Sequence, residues 1–161
     1  MTMPQSDHEL EEIILHPIGM VRNSVLNKEH HGWQQIISEI AVKDEYVPAL
    51  EGLAEFSHII VLFWLHEVSA KERASKRARP LRKAEIPELG IFAWHSSRRP
   101  NPIGMSIVRL LEIEADRVTV QGLDAINGTP VLDLKPFVDH YYHVNNPIEP
   151  EWVALTKDTR R

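Results

Sequence analysis

IGMSIVRLLEIEADRVTVQGLDAINGTPVLDLKPFV, residues 103–138, alternates strand signals with turn signals from end to end. Ile103 to Glu114 is a long run of aliphatic and β-branched residues, and Ala115-Asp116 turns the chain. Val118 and Val120 then alternate with Arg117, Thr119 and Gln121, the period of two that marks a half-buried strand. Asn127-Gly128 is a strong type I′ turn signal, after which Val131 to Val138 returns. Working outward, His58 to Val68 is a nearly continuous apolar run rich in β-branched and aromatic residues, which predicts a central strand. Ile13 to Arg22, Ile36 to Lys43 and Gly90 to His95 read as further strands, and Asn23 to Trp33 as a polar loop holding His30, His31 and Gly32. Short helices are expected near Pro48, since proline suits a first turn, and over Pro150 to Lys157. The fold class is therefore all-β and mainly antiparallel: a small closed or nearly closed β-barrel with short helices, which removes exposed strand edges. A sandwich is the alternative.

The chain of 161 residues suits one domain, with 1–12 as a flexible acidic tail and 13–161 as the folded unit. Apolar residues make up 43%, enough for a core, and the absence of cysteine excludes disulfides and thiolate metal sites. MTMPQSDHELEE lacks the basic and apolar regions of a signal peptide, and Ile59 to Leu65 is too short to span a bilayer. A soluble, cytoplasmic protein with no membrane partner is expected. The formal net charge is −5, which argues against a coat of basic charge for nucleic acid. The segment Lys71 to Lys83 departs from that balance: it carries +6, and the rest of the chain −11. It is either a solvated face or a local funnel for phosphates, in which Arg77, Arg79 and Arg82 take part.

SSRRPNPIGMS, residues 96–106, is the most unusual local chemistry. Pro100 and Pro102 fix their own φ and push Arg99 and Asn101 into extended conformations. Such a corner is rigid before any tertiary contact forms, so it can serve as a preorganised wall. Arg98 and Arg99 are candidates to reach a phosphate; for Arg99 a carboxylate or a partner subunit is equally open.

GIFAWHSSRRPNPIGMSIVRLLEIE followed by GLDAINGTPVLDLKPFV resembles the TsaA/YaeB family, also called TrmO. FSHIIVLFWLHE resembles that family's apolar strand ending in His, and HPIGMVRNS its opening strand. The resemblance covers roughly residues 13–138. It implies a small β-barrel that binds S-adenosylmethionine outside the Rossmann-type methyltransferases, works as a homodimer, and methylates N6 of a threonylcarbamoyl-modified adenosine in tRNA. One feature of the residues agrees: among Gly19, Gly32, Gly52, Gly90, Gly104, Gly122 and Gly128 no pair makes a G-x-G fingerprint.

Carried over residue by residue, the resemblance implies cofactor contacts at Leu65, His66, His95, Met105, Gly122, Leu123 and Asp124, with Gln121 contributing through its backbone. Asp124 is suited to accept from the cofactor's amine or ribose. Three positions depart from the family pattern. His95 stands where the family has arginine in a T-R-S segment; an imidazole donates fewer bonds than a guanidinium, or else Arg98 supplies the charge. His31-Gly32-Trp33 stands where the family has P-R-Q, with Trp33 as the residue to cover the cofactor. Asn127 stands in place of the Asp of D-G-T-P.

The expected function is an S-adenosylmethionine-dependent methyltransferase, with a non-tRNA acceptor or a non-catalytic S-adenosylmethionine-binding module as alternatives. No catalytic residue is identified. His140 and His143, with Asp139, have a spacing that suits part of a metal site, but a polar surface segment is the stronger reading and no metal is expected.

Overall fold

Val118 and Val120 are fully buried, and their strand pairs with a neighbour on each side. The computed structural model describes residues 12–27 and 31–159. Within them the chain forms strands β1 (Gly19–Arg22), β2 (Ile37–Val42) and β3 (His58–Trp64), then helix α1 (Ala70–Arg73), and then the short strands β4 (Arg77–Ala78) and β5 (Leu89–Gly90). The long β6 (Ile103–Glu114), β7 (Arg117–Gln121), β8 (Pro130–Pro136) and helix α2 (Asp139–Tyr142) follow. Six strands close into a barrel in the order β1-β2-β7-β6-β3-β8, and every pairing is antiparallel. Closure excludes the sandwich. β4 and β5 form a separate two-stranded pair inside the excursion from β3 to β6.

The interior is filled mainly by short β-branched side chains. Val21, Ile40, Val42, Ile59, Val61, Val108, Val118, Val120 and Val131 meet there with Phe63. These residues are stiff at χ1 and suit a pleated wall, and a barrel this narrow leaves room only for side chains. Burying one such residue contributes about 1.5–3 kcal/mol. Leu123 and Ala125, from the loop after β7, join the same core.

Several expectations are corrected. Ile13 to Ile18 is not strand: Ile13 and Ile14 are exposed, and β1 begins only at Gly19, where β2 and β8 flank it. β3 stops at Trp64 rather than Val68, because the Val68 N–H donates to the Leu65 carbonyl in a turn. Beyond Gly90 the chain winds into a 3-10 turn, Ile91–Ala93, anchored by buried Ile91 and by its N–H on the Lys76 carbonyl. The helix expected near Pro48 is a 3-10 segment, Asp44–Leu50, with Pro48 inside it, and the terminal helix is the 3-10 segment Glu151–Thr159.

Asn127-Gly128 is a turn but not type I′: Gly128 has φ 83°, whereas Asn127 lacks a positive φ. Nor does it join a hairpin. β8 pairs with β1 and β3, not with β7, because the loop between them crosses the barrel end. The tail expected at 1–12 lies outside the described residues up to position 11, as does His30.

Gly19 sits against the main chain of Ala41 and Val42, so an added Cβ would collide with backbone atoms. Gly19→Ala is expected to destabilise the fold by about 1–3 kcal/mol, read as a lower urea midpoint with unchanged slope. An unchanged midpoint would show that β1 shifts off β2 without cost.

Candidate functional site

Because every barrel pairing is antiparallel, β1, β3 and β7 end at one rim, and β2, β6 and β8 begin there. That direction rule brings the expected cofactor residues to one end of the barrel. Trp33 lies in the 3-10 turn before β2, Leu65 and His66 follow β3, Gln121 ends β7, and Gly122 to Asp124 follow it. His95 lies in the loop feeding β6, and Met105 near that strand's start. The basic excursion also leaves and re-enters at this rim. His140 and His143 follow the far end of β8 and belong to the opposite rim. There, His140 packs edge-on to Tyr141 with ring centroids 4.4 Å apart, and His143 Nε2 lies 3.2 Å from Asn145 Oδ1. Among the described residues no group of three or more His, Asp or Glu is arranged to hold a metal ion.

Two sets of contacts organise the rim. On one side, the Leu65 N–H donates to the Pro102 carbonyl at 2.8 Å, pinning the end of β3 to the proline corner. The corner closes on itself: the Arg99 N–H donates to Ser97 O, the Ile103 N–H to Asn101 O, and the Arg98 N–H to Ser96 Oγ. Ser96 and Pro102 are buried, whereas Ser97, Pro100 and Asn101 between them are exposed. On the other side, the Gly122 N–H donates to Ile36 O at 3.0 Å, joining the loop after β7 to the turn that carries Trp33. Gly122 has φ 93°, a conformation that other residues adopt only under strain.

Between these sets the sheet has an open stretch. β6 pairs with β3 from Ile103 onward, but with β7 only from Arg109, which faces Gln121. Past Gln121 the chain turns toward Ile36, so the β7-side edge of residues 103–108 is not continued by β7. Met105 stands on the outer wall beside this edge and is 59% exposed. His66, His95 and Asp124 are exposed, and Trp33 and Gln121 half-buried. Leu123 differs: it is fully buried in the barrel core, so only its backbone is available to a ligand.

The cations are more committed than the sequence suggests. Arg77 donates to Glu88 O and Arg79 to Ala84 O, so both hold the excursion they belong to. Arg98 Nε lies 4.0 Å from Glu72, and Glu72 closes a capping box with Ser69 on α1. Arg82 is placed by its backbone in the 3-10 turn Pro80–Arg82. Arg99, expected to reach outward, instead donates to the Ile91 and Trp94 carbonyls. Away from the rim, on β8, Lys135 has its ammonium pKa raised by the hydrogen bond and charge of Asp133, 2.6 Å away.

Asn23 is a residue that sequence reasoning missed. Its Nδ2 donates to Ser38 Oγ and to Ala125 O, its Oδ1 accepts from the Val25 N–H, and its own N–H donates to Asn127 Oδ1. One side chain thus ties the loops after β1 and β7 to the start of β2. Its polar character in a loop predicted only a turn.

A family profile described as the tRNA-methyltransferase O N-terminal domain matches residues 22–142. An S-adenosyl-L-methionine-binding protein of Archaeoglobus fulgidus is 37% identical over 129 residues, covering 78% of this chain and 89% of its own length. The tRNA (adenine(37)-N6)-methyltransferase of Homo sapiens is 35% identical over 102 residues, covering 63% of this chain and 23% of its own. A crystal structure of TrmO from Pseudomonas aeruginosa superposes with a TM-score of 0.72 at 30% identity, covering 90% of this chain and 63% of that one. The chain thus spans most of the archaeal relative but only part of the other two.

Asn23→Ala leaves the Ser38 hydroxyl and the Ala125 carbonyl without this partner, at an expected cost of about 1–3 kcal/mol. Amide exchange should quicken at Val25 and Asn127 while β3 stays protected. Uniform loss of protection through the barrel would instead make Asn23 a general stabiliser rather than a tether of these loops.

Proposed function

Because the chain belongs to the tRNA-methyltransferase O family, we propose that its rim holds S-adenosylmethionine and that the protein is a methyltransferase acting on N6 of a threonylcarbamoyl-modified adenosine in tRNA. The observation that carries this reading is the gathering of Trp33, Leu65, His66, His95, Met105 and Gln121 to Asp124 at one barrel end. The donor set fits the cofactor. The open edge of residues 103–108 offers backbone donors and acceptors to an adenine, beside the apolar surface of Met105. The exposed carboxylate of Asp124 accepts from an amine or ribose hydroxyl. Sites for nucleoside ligands have this makeup, largely apolar with a few convergent polar groups.

When bound, S-adenosylmethionine supplies a methyl group already activated on a sulfonium. The protein's part is then alignment and exclusion of water. The pinned corner and the Asn23-tethered loops hold their places before binding, so little ordering cost remains. The acceptor N6 of such an adenosine is a urea-type N–H, so its proton must leave as the nitrogen–methyl bond forms and the sulfonium carbon–sulfur bond breaks; no residue is identified as the group that takes it.

A homodimer is part of the proposal. An outward row on β6, Ile103, Met105 and Ile107, is 40–59% exposed, which favours burial against a second copy. A cytoplasmic location suits an RNA acceptor. Among the described residues no helix is long and apolar enough to cross a membrane. The partial coverage of the human relative keeps a non-tRNA acceptor as the second reading.

Calorimetric titration with S-adenosylmethionine should show saturable binding at one site per chain, and labelled methyl should then appear in a tRNA pool that carries the threonylcarbamoyl group but lacks the N6 methyl. Binding without transfer to any RNA or small-molecule pool would make this a binding module. No binding at millimolar cofactor would end the reading. Neutralising Arg77, Arg79 and Arg82 together should weaken RNA binding and flatten its log–log salt slope by roughly 0.7–0.9 for each phosphate that is no longer neutralised. An unchanged slope would return these arginines to a purely structural role.

A further inference from the structure

We infer that Arg99 is a positioning residue, which clamps the turn that presents His95 to the cofactor rather than contacting a ligand itself. One terminal nitrogen, Nη1, donates to Trp94 O at 3.1 Å and to Ile91 O at 3.3 Å. The guanidinium carbon sits 5.3 Å from the centroid of the Phe92 ring. Arg99 thus engages three of the four residues immediately before His95. Its own backbone is fixed from both sides, by the N–H on Ser97 O and by Pro100. The cation therefore joins the rigid proline corner to a turn that has no proline or strand pairing of its own. The indole of Trp94 adds no second polar tether, for its Nε1 is buried without a hydrogen-bond partner.

The chemistry is specific to arginine. Nη1 carries two N–H groups, one for each carbonyl, while the planar guanidinium lies by the Phe92 ring; a lysine ammonium that reached the carbonyls would have no planar group to place against that ring. His95 projects from the peptide whose carbonyl Arg99 holds. Release of the clamp leaves that peptide held only by the adjacent Ser96 N–H, 3.0 Å from the same carbonyl, and the imidazole loses its tether to the proline corner.

The inference deepens the proposed function and rests on it for the identity of the ligand, so its test reads the free protein first. Chymotrypsin cleavage after Phe92 and Trp94, mapped by mass spectrometry, reports the turn without any cofactor. Arg99→Met, which keeps the stem, and Arg99→Lys, which keeps the charge, should each raise cleavage there by about tenfold while the melting transition stays cooperative. Both should also weaken S-adenosylmethionine binding by calorimetry, by about tenfold. Unchanged cleavage with weakened binding would make Arg99 a ligand contact and overturn the inference. Increased cleavage with unchanged affinity would detach the turn from the cofactor and overturn it equally, as would full rescue of both readouts by Arg99→Lys. Should Arg99→Met not fold, Arg99→Lys carries both readouts. A wild-type chain that binds no S-adenosylmethionine removes the proposed function and the role of His95 with it; cleavage then still decides whether the clamp exists.

Discussion

Four residues, Gly19–Arg22, pair with β2 on one side, and the first two of them, Gly19 and Met20, pair with β8 on the other; their fit closes the barrel. The approach is tight enough that Gly19 lies against the Ala41 and Val42 backbone with no room for a side chain. With the ring closed and every neighbour antiparallel, each strand end is assigned to a rim. Segments far apart in sequence, such as the turn at Trp33 and the loop at Asp124, then share one end without any need for long-range recognition between them. The same parity sends His140 and His143 to the other end. Closure pairs most strand edges, but β6 outruns β7 and β8 outruns β1; the edge left on β6 lies among the residues suited to hold a nucleoside.

The rim is built from loops, yet it is not loose. Proline rigidity, the Leu65–Pro102 hydrogen bond, the Asn23 hub and the Gly122–Ile36 bond each fix a different segment. Cations join this work. Arg77, Arg79, Lys83 and Arg99 all donate to main-chain carbonyls, on Glu88, Ala84, Leu155 and on Ile91 with Trp94. A basic segment that looks like either a solvated face or a phosphate funnel is thus also a set of staples. Carbonyls in an irregular excursion have no strand ladder to donate to them, and long cationic side chains can reach them from the surface.

Much of the barrel was legible because its signal is local. The alternation around Val118 and Val120 and the apolar run at Ile59–Phe63 reflect inward and outward faces directly. Failures came where an apolar run had no partner. Ile13 and Ile14 look like strand residues but meet no neighbouring ladder, and Ile91 is apolar because it anchors a turn. Asn127-Gly128 carries hairpin chemistry, but the barrel order places β7 and β8 apart, so the turn serves a crossing loop. The candidate site followed the same division. Its residue types came from a resemblance to a family, whereas Asn23, which holds two of its loops, has no motif to announce it.

By itself the sequence determined the all-β class, the strands from Ile103 onward and the proline constraint on the 96–106 corner. Those properties arise from side-chain period and from proline, which act within a few residues of one another. Only the tertiary structure decided which strands are neighbours, which rim each loop joins, that Met105 faces the outer wall and that Arg99 turns back onto the chain. Those depend on contacts between residues distant in sequence, whose hydrogen bonds can be made in only one register once the ring has closed.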